Sequence, residues 1–191
     1  MNDVSFYNVV EEIENHGGLG MRADKGTCRI LYGLTRALQP DIYFDDGTFV
    51  GLSCLWVAKA MEETGRGKVY TVEIDKQWYD LAVDFAKRAK LNHRIEFILG
   101  DSPGVIPNLP NGIQLVLIDI GDKDRNIPDF ELLEPKLSNK AIIVAHDIIQ
   151  PERVPFNPAW HFKSYIENRP EYNSFWLDAE YGTLLIQRNH A

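Results

Sequence analysis

The chain has 191 residues, 45% of them hydrophobic, which predicts one globular domain over residues 1–191 with an ordinary hydrophobic core. The net charge is −8 and no basic stripe is visible, which argues against a nucleic-acid partner. No apolar run reaches the roughly 18 residues of a membrane helix, and no basic segment precedes an apolar one at the N-terminus. Both cysteines, Cys28 and Cys54, fall on apolar faces of predicted helices, so free buried thiols and a cytoplasmic location are expected.

Residues 1–38 are predicted to form N-terminal helices before a core over residues 40–188. The segment Val4 to Asn15 is amphipathic, and its apolar face holds Phe6, Val9, Val10 and Ile13. Asp24 is a suitable N-cap for a second helix. The core face of that helix is predicted to consist of Cys28, Leu31, Leu34 and Leu38.

A strand, a glycine turn and a helix follow, and this corner organises the rest of the chain. Ile42 to Phe44 predict a short buried strand, two acids and two glycines come next, and Leu52 to Met61 predict a helix. A dinucleotide fingerprint needs a glycine where this chain has Phe49, which disfavours an NAD-dependent oxidoreductase. Two carboxylates at the turn would repel phosphates and would suit a ligand with an amine or a sulfonium.

Strands and helices then alternate, which predicts an α/β fold with right-handed crossovers. The predicted strands are 69–73, 94–99, 113–118 and 141–145, with helices over 76–90 and 126–137. The tail contains a helix over 159–168 and two strands, 174–179 and 183–188, joined by a hairpin turn.

Polar residues follow the apolar strands directly, at the edge where open α/β sheets bind ligands. They are Asp45, Glu73, Asp101, Asp119, His146 and Asp147. Glu73 ends the second strand, where an acid accepts hydrogen bonds from two ribose hydroxyls. An acid-rimmed glycine turn together with a ribose-binding acid predicts an S-adenosylmethionine site rather than an NAD or ATP site.

The glycine turn resembles motif I of the class I methyltransferases. In the branch typified by catechol O-methyltransferase this motif is E-x-G-x-x-x-G-x-S, and residues 45–53 match it with Asp45 in place of the glutamate. Further matching stretches, in family order, are residues 23–26, 71–74, 100–102, 123–125, 128–129 and 132–134. The resemblance implies a Rossmann-like seven-stranded sheet in the order 3-2-1-4-5-7-6, with a closing antiparallel hairpin and helices on both faces.

The resemblance also implies how the cofactor is held. The expected cofactor-binding residues are Asp45, Gly47, Phe49, Gly51, Ser53, Glu73, Ile74, Asp101, Ser102 and Asp119. Asp45 would meet the amino group, Ser53 the carboxylate and Glu73 the ribose. Ile74 would pack on the adenine face, and Asp101 or Ser102 would contact its edge. The loop before the second helix, residues 21–26, would lie over the methionine end.

Asp119, His146 and Asp147 form a second candidate site. Two carboxylates and an imidazole suit a divalent cation, either Mg²⁺ or Mn²⁺ or, because of the imidazole, Zn²⁺ or another transition metal. Catechol-type enzymes have Asp, Asp and Asn at these places. In the alternative without metal, His146 donates to Asp119 and Asp147 caps a turn. Lys123 is the catalytic base by resemblance, although Asp122 is an extra residue before it, and His146 is the other candidate base.

These residues predict a methyltransferase that uses S-adenosylmethionine to methylate the oxygen of a small hydroxylated molecule, with or without a divalent metal. The alternatives are a metal-independent methyltransferase of a sugar or natural product and a cofactor-binding module without catalysis. Trp160, His161 and Tyr181 are further candidates for the acceptor pocket. The sequence leaves open whether the protein forms a homodimer.

Overall fold

The computed structural model describes residues 4–15, 23–178 and 181–189, which form seven α-helices and seven strands. The helices are α1 (Val4–Asn15), α2 (Lys25–Leu38), α3 (Leu52–Thr64), α4 (Lys76–Arg88), α5 (Ser102–Val105), α6 (Asn126–Leu133) and α7 (Pro158–Glu167). The strands are β1 (Ile42–Asp46), β2 (Lys68–Glu73), β3 (Ile95–Leu99), β4 (Ile113–Ile118), β5 (Leu137–His146), β6 (Tyr172–Leu177) and β7 (Thr183–Arg188). None of these helices is both long and apolar enough to cross a membrane.

The strands form a single sheet in the order β3-β2-β1-β4-β5-β7-β6, which confirms the predicted order. Strands β1 to β5 pair in parallel, whereas β7 pairs antiparallel with both β5 and β6. The chain reverses its direction of winding between β1 and β4, and open α/β sheets bind ligands at such a point. Asp46 of β1 pairs there with Ile118 of β4, directly before Asp119.

Helices cover both faces of the sheet, and each face has its own core. On one face, α1 to α4 bury residues that include Phe6, Leu31, Leu55, Met61 and Phe85. On the other face, α6, α7 and the 3₁₀ turn after α5 bury residues that include Ile106, Phe130, Phe162 and Ile166. Because side chains alternate along a strand, Tyr43 and Asp45 of β1 face the first core and Phe44 and Asp46 face the second.

Side-chain caps fix where the helices that flank the site begin. The Asp24 carboxylate accepts the backbone N–H groups of Gly26 and Thr27 at 2.6 and 3.1 Å, which confirms it as the N-cap of α2. Asp75 accepts the backbone N–H of Gln77 at 2.7 Å and caps α4 in the same way. Both caps lie at the edge of the sheet where the parallel strands end.

The predicted boundaries were wrong at the junction of α6 and β5. The helix ends at Leu133, a 3₁₀ turn over Glu134–Lys136 follows, and β5 begins at Leu137 rather than Ala141. Pro135 explains the early end, since proline has no N–H to continue the helix. Leu38 is 42% exposed, so it does not belong to the core face of α2 as predicted. Ala179, the predicted end of β6, and Met21 and Arg22 lie outside the described residues.

Candidate active site

A cavity of about 580 Å³ opens at the carboxyl ends of the parallel strands. It is large enough for a cofactor-sized ligand. The predicted site residues along its wall are Gly47, Phe49, Glu73, Ile74, Asp119, Lys123, His146 and Asp147. Asp75, Trp78, Arg125 and Tyr181 also line it. The structure therefore places five of the ten cofactor candidates and all three metal candidates around one space, whereas Asp45, Gly51, Ser53, Asp101 and Ser102 are not in this wall.

The glycine turn of motif I brings the backbone close to the neighbouring strand. Gly47 has a φ of +112°, and a Cβ atom built there would lie 2.6 Å from the carbonyl oxygen of Asp119. Phe49 also has a positive φ, 46°, although it is not a glycine. Its ring packs on Trp78, with 4.7 Å between the ring centroids. The aromatic pair thus forms part of the wall where a dinucleotide fingerprint would have a bare glycine.

Glu73 is held in place by two backbone N–H groups. Its Oε2 accepts the N–H of Phe49 at 2.7 Å, and its Oε1 accepts the N–H of Asp75 at 2.8 Å. A carboxylate has about four lone-pair sites, so it can still accept two further hydrogen bonds. This arrangement suits an acid that binds two hydroxyls of a ligand.

Asp45 lies beneath the turn and is fully buried. The Ser53 hydroxyl donates to its Oδ2 at 2.7 Å, while its Oδ1 has no hydrogen-bond partner among the described residues. Burial raises the pKa of Asp45 well above its usual value. A buried acceptor without a partner is costly, and a cationic donor on a ligand would satisfy it. Ser53 also lines a small neighbouring cavity beside Gly47.

The two candidates for contact with the adenine edge both have protein partners in the structure. The Asp101 carboxylate pairs with Arg125 at 2.6 Å, and the Ser102 hydroxyl donates to the buried carboxylate of Asp46. Neither residue is in the wall of the large cavity as described, but Arg125 is. Ile74 lies in the wall and is 68% exposed, so it presents an open apolar surface to a ligand.

Lys123 and His146 bind the carboxylates at the other end of the cavity. The Lys123 ammonium lies 3.0 Å from Asp119 Oδ1 and 2.9 Å from Asp147 Oδ2. His146 Nδ1 is 3.3 Å from Asp119 Oδ1, and its Nε2 is 2.8 Å from Asp24 Oδ2. Three acids and two bases, drawn from α2 and from the segments after β4 and β5, therefore form one connected cluster.

The charges of this cluster stabilise one another. Burial alone would lower the pKa of His146, but its hydrogen bonds with Asp119 and Asp24 raise it to about 10. Burial would raise the pKa of Asp119, yet the Lys123 charge and the His146 hydrogen bond bring it to about 2. Asp119 and Asp147 raise the pKa of Lys123 against the effect of burial. Both candidate bases therefore carry their protons at neutral pH.

The three predicted metal ligands lie close enough to bind one ion. Asp119, His146 and Asp147 each offer a ligand atom, and these atoms all lie within 4.8 Å of one another. Asp147 has a φ of +60°, an uncommon conformation for a residue other than glycine, and such strain is often retained at functional sites. The contact between His146 and Asp119 is equally the one expected without metal. The metal thus stays a prediction.

Sequence reasoning missed the roles of three residues at the site. Asp24 was predicted as a cap and as part of the loop over the methionine end, Trp78 only as part of a helix, and Arg125 only within a matching stretch. The signal for Trp78 was its position one turn into the helix that follows Glu73. Tyr181 does line the cavity. Trp160, however, packs on Trp176 in the second core, and His161 is exposed.

An open sheet in this order, closed by an antiparallel hairpin and carrying an acid-rimmed glycine turn, defines a class I methyltransferase fold. Residues 46–148 match the family described as "Methyltransferase domain", which is more than half of the chain. The chain therefore belongs to this family, in the class I S-adenosylmethionine-dependent O-methyltransferase group that its motifs predicted. The predicted cofactor, S-adenosylmethionine, is thereby confirmed at the level of the family.

Individual relatives agree with this assignment. The chain is 29% identical to a catechol O-methyltransferase of Mycobacterium tuberculosis over 123 residues, covering 64% of this chain and 54% of the relative. It is 33% identical to a flavonoid 3',5'-methyltransferase of Vitis vinifera over 107 residues, covering 53% and 44%. The chain thus spans about half the length of the curated relatives it matches.

The fold itself has close counterparts among solved structures. An O-methyltransferase from Bacillus cereus, solved in complex with S-adenosylhomocysteine, superposes with a TM-score of 0.83 at 18% identity. The match covers 97% of this chain and 90% of that one. At this identity the likeness establishes the fold alone, and the role of each site residue has to be argued from its own contacts.

Proposed function

We propose that this protein transfers a methyl group from S-adenosylmethionine to the hydroxyl oxygen of a small molecule. One observation carries the proposal: Glu73 and the cluster around Lys123 line the same cavity, and their strands β2 and β4 lie on either side of β1. Glu73 would bind the ribose, and Asp45 and Ser53 would meet the methionine end. The sulfonium would then lie between the glycine turn and the cluster. The reaction is an in-line displacement: the acceptor hydroxyl gives its proton to water, its oxygen attacks the methyl carbon, and the carbon–sulfur bond breaks to release S-adenosylhomocysteine.

The main task of such an enzyme is to align the two reactants and to favour the anionic form of the acceptor oxygen. The Lys123 ammonium and the His146 imidazolium lie in the cavity wall, and their positive charges would stabilise an oxygen that is losing its proton. Lys123 would have to lose a proton before it could act as a base, and its contacts with Asp119 and Asp147 hold it in the protonated form. Its contacts therefore support the role of a cation more than that of a base.

A divalent ion is part of the proposal as well. Asp119, His146 and Asp147 would hold it, and their donor set of two carboxylates and an imidazole fits such an ion. His146 also has the orienting partner that metal-binding histidines usually have, because its second ring nitrogen is held by Asp24. When bound, the ion would act as a Lewis acid on the acceptor oxygen.

A metal-independent reaction is the second candidate, and the position of Lys123 favours it. Its ammonium already lies between the two carboxylates that would bind the metal, and it neutralises part of their charge. In that version Lys123 and His146 alone would stabilise the acceptor anion. Sugars and natural products then join catechols and phenols as acceptor classes to be tested. A cytoplasmic location is part of the proposal, supported by two free buried thiols.

A turnover assay with S-adenosylmethionine and a panel of catechols, phenols and sugars tests the proposal. The protein is first treated with EDTA and then assayed with and without Mg²⁺, Mn²⁺ or Zn²⁺. Metal-dependent methylation supports the ion, whereas full activity after EDTA treatment removes the metal and leaves the second candidate. No methylation of any acceptor, despite tight binding of S-adenosylhomocysteine, would favour a binding module without catalysis.

Asp119→Ala separates chemistry from cofactor binding. The variant removes the acid that contacts both Lys123 and His146. We expect turnover to be lost in either version of the mechanism. The affinity for S-adenosylhomocysteine should change less than about threefold, because Asp45, Ser53 and Glu73 would still hold the cofactor although Asp119 is also an expected contact. Glu96→Ala, an exposed acid on β3 that lies outside the cavity wall, is the control.

A further inference from the structure

We propose that Asp24 is a positioning residue that holds His146 in the orientation the active site needs. The effect of Asp24 on catalysis rests on the proposed function, whereas its contact with His146 does not. Asp24 belongs to the cap of α2 and is 122 residues away from His146 in the sequence. The two side chains nevertheless meet, with 2.8 Å between Asp24 Oδ2 and His146 Nε2.

The two oxygens of Asp24 have different partners. Oδ1 accepts the backbone N–H groups of Gly26 and Thr27 and thereby caps α2. Oδ2 accepts the Thr27 hydroxyl at 2.7 Å and is the oxygen that faces His146. The cap thus fixes the carboxylate, and its second oxygen is left to act on the histidine.

An acceptor at this place keeps a proton on one particular ring nitrogen of His146. Since Oδ2 can only accept, it favours a proton on Nε2. Nδ1 then points toward Asp119 and Asp147, at 3.3 and 3.4 Å. The His146 side chain is only 4% exposed, so water cannot readily replace Asp24 as its partner. Asp24 would therefore present Nδ1 to the acceptor end of the cavity, whether that nitrogen donates to Asp119 or ligates an ion.

Two substitutions separate this role from capping. Asp24→Asn keeps an oxygen for the cap, because the two backbone N–H groups need an acceptor. Its amide NH₂ then takes the place of Oδ2 and requires Nε2 to accept a hydrogen bond. Asp24→Ser retains an N-cap oxygen but is too short to offer a second one to His146. Both variants should therefore keep α2 folded while they change the protonation of the His146 ring.

The decisive measurement is the ¹⁵N NMR spectrum of histidine-labelled protein without metal. The His146 signals are assigned by their loss in His146→Gln. At neutral pH we expect both ring nitrogens to be protonated in the wild type, only Nδ1 in Asp24→Asn, and a mixture of these two forms in Asp24→Ser. A protonated Nε2 in all three proteins, at unchanged thermal stability, would overturn the proposal. If Asp24→Asn loses stability because its amide flips, the result for Asp24→Ser decides alone.

Kinetics provide the second readout. We expect both variants to lower kcat about tenfold or more while KM for S-adenosylmethionine stays within about threefold. A protein that methylates no acceptor would refute the proposed function, and the NMR result would still decide the role of Asp24. A variant in which the protonation of His146 has changed but kcat is normal would show that the orientation of His146 does not matter for catalysis. This result would overturn the proposal.

Discussion

The carboxylate of Glu73 accepts the backbone N–H of Phe49, with 2.7 Å between Oε2 and the nitrogen. This bond joins the end of β2 to the glycine turn after β1, so the ribose-binding acid and motif I are held as one unit. Phe49 keeps its left-handed conformation at the same point. The acid is thus oriented before any ligand arrives, which reduces the ordering that binding would otherwise require.

Glu73→Ala should weaken the binding of S-adenosylhomocysteine at least tenfold. The change removes a charged acceptor for two hydroxyls, a loss of about 1.5–3 kcal/mol, and also frees the N–H of Phe49. Isothermal titration calorimetry measures the affinity, with Glu96→Ala as a matched acid-to-alanine control outside the cavity wall. Unchanged affinity in Glu73→Ala, or tighter binding of NAD than of S-adenosylhomocysteine, would refute the assigned role.

Gly47→Ala should damage both the turn and the cofactor site. The new Cβ would lie 2.6 Å from the carbonyl oxygen of Asp119, at a backbone φ of +112° that side chains rarely adopt. We expect a loss of about 1–3 kcal/mol in the free energy of unfolding, measured by urea titration. Gly121→Ala is the control, because no atom lies within 4 Å of its Cβ. Equal stability of the two variants would contradict the close approach of β1 and β4.

Asp46→Asn should stabilise the protein at alkaline pH but not at acidic pH. Burial raises the pKa of Asp46 to about 7 from an ordinary 3.8, so the folded state binds more protons than the unfolded state between these values. The wild type therefore loses stability as the pH rises from 3.8 through 7, by about 4 kcal/mol in total.

Urea titrations at pH 4, 6 and 8 measure this effect. The gain of Asp46→Asn over the wild type should grow with pH, since the amide has no charge to bury. Asp80→Asn, on the exposed face of α4, controls for the exchange of a carboxylate for an amide. A constant difference between Asp46→Asn and the wild type from pH 4 to 8 would contradict the prediction.

His146→Gln should be least stable relative to the wild type at low pH. The folded-state pKa of His146 is about 10, above the ordinary 6.5, because Asp119 and Asp24 accept its hydrogen bonds. Its contribution to stability is therefore fully present below pH 6.5 and is lost as the pH rises through 10. The change amounts to about 4–5 kcal/mol in metal-free protein.

The test is the difference in urea midpoint between the two proteins from pH 6 to pH 10, in EDTA. Groups that titrate equally in both proteins cancel in this difference. His161→Gln, which alters an exposed imidazole, shows the effect of the substitution as such. If the advantage of the wild type over His146→Gln does not shrink with rising pH, the imidazolium is not stabilised by its two acids.

The sequence by itself determined the edge of the sheet at which the site lies, and its resemblance to a known family supplied the order of the strands. Apolar runs each ended by a polar residue mark parallel strands whose carboxyl ends meet, and this placed Glu73, Asp119, His146 and Asp147 correctly around one cavity. The motifs identified the family. They can be recognised in the sequence because the spacing of the glycines and of Ser53 is set by the local backbone geometry of the turn. The junction of α6 and β5 was misplaced because the helical spacing of apolar residues extends past Pro135 to Leu137.

Only the tertiary structure decided which side chains pair. Asp24 meets His146 across 122 residues, Ser102 donates to Asp46 across 56, and Lys123 lies between two carboxylates that follow different strands. Sequence spacing carries no signal for such contacts, since a buried charge or hydroxyl takes whichever partner the packed helices bring within reach. For the same reason a serine predicted to contact adenine proves to be bound to an acid on β1, and a capping aspartate proves to face the active-site histidine.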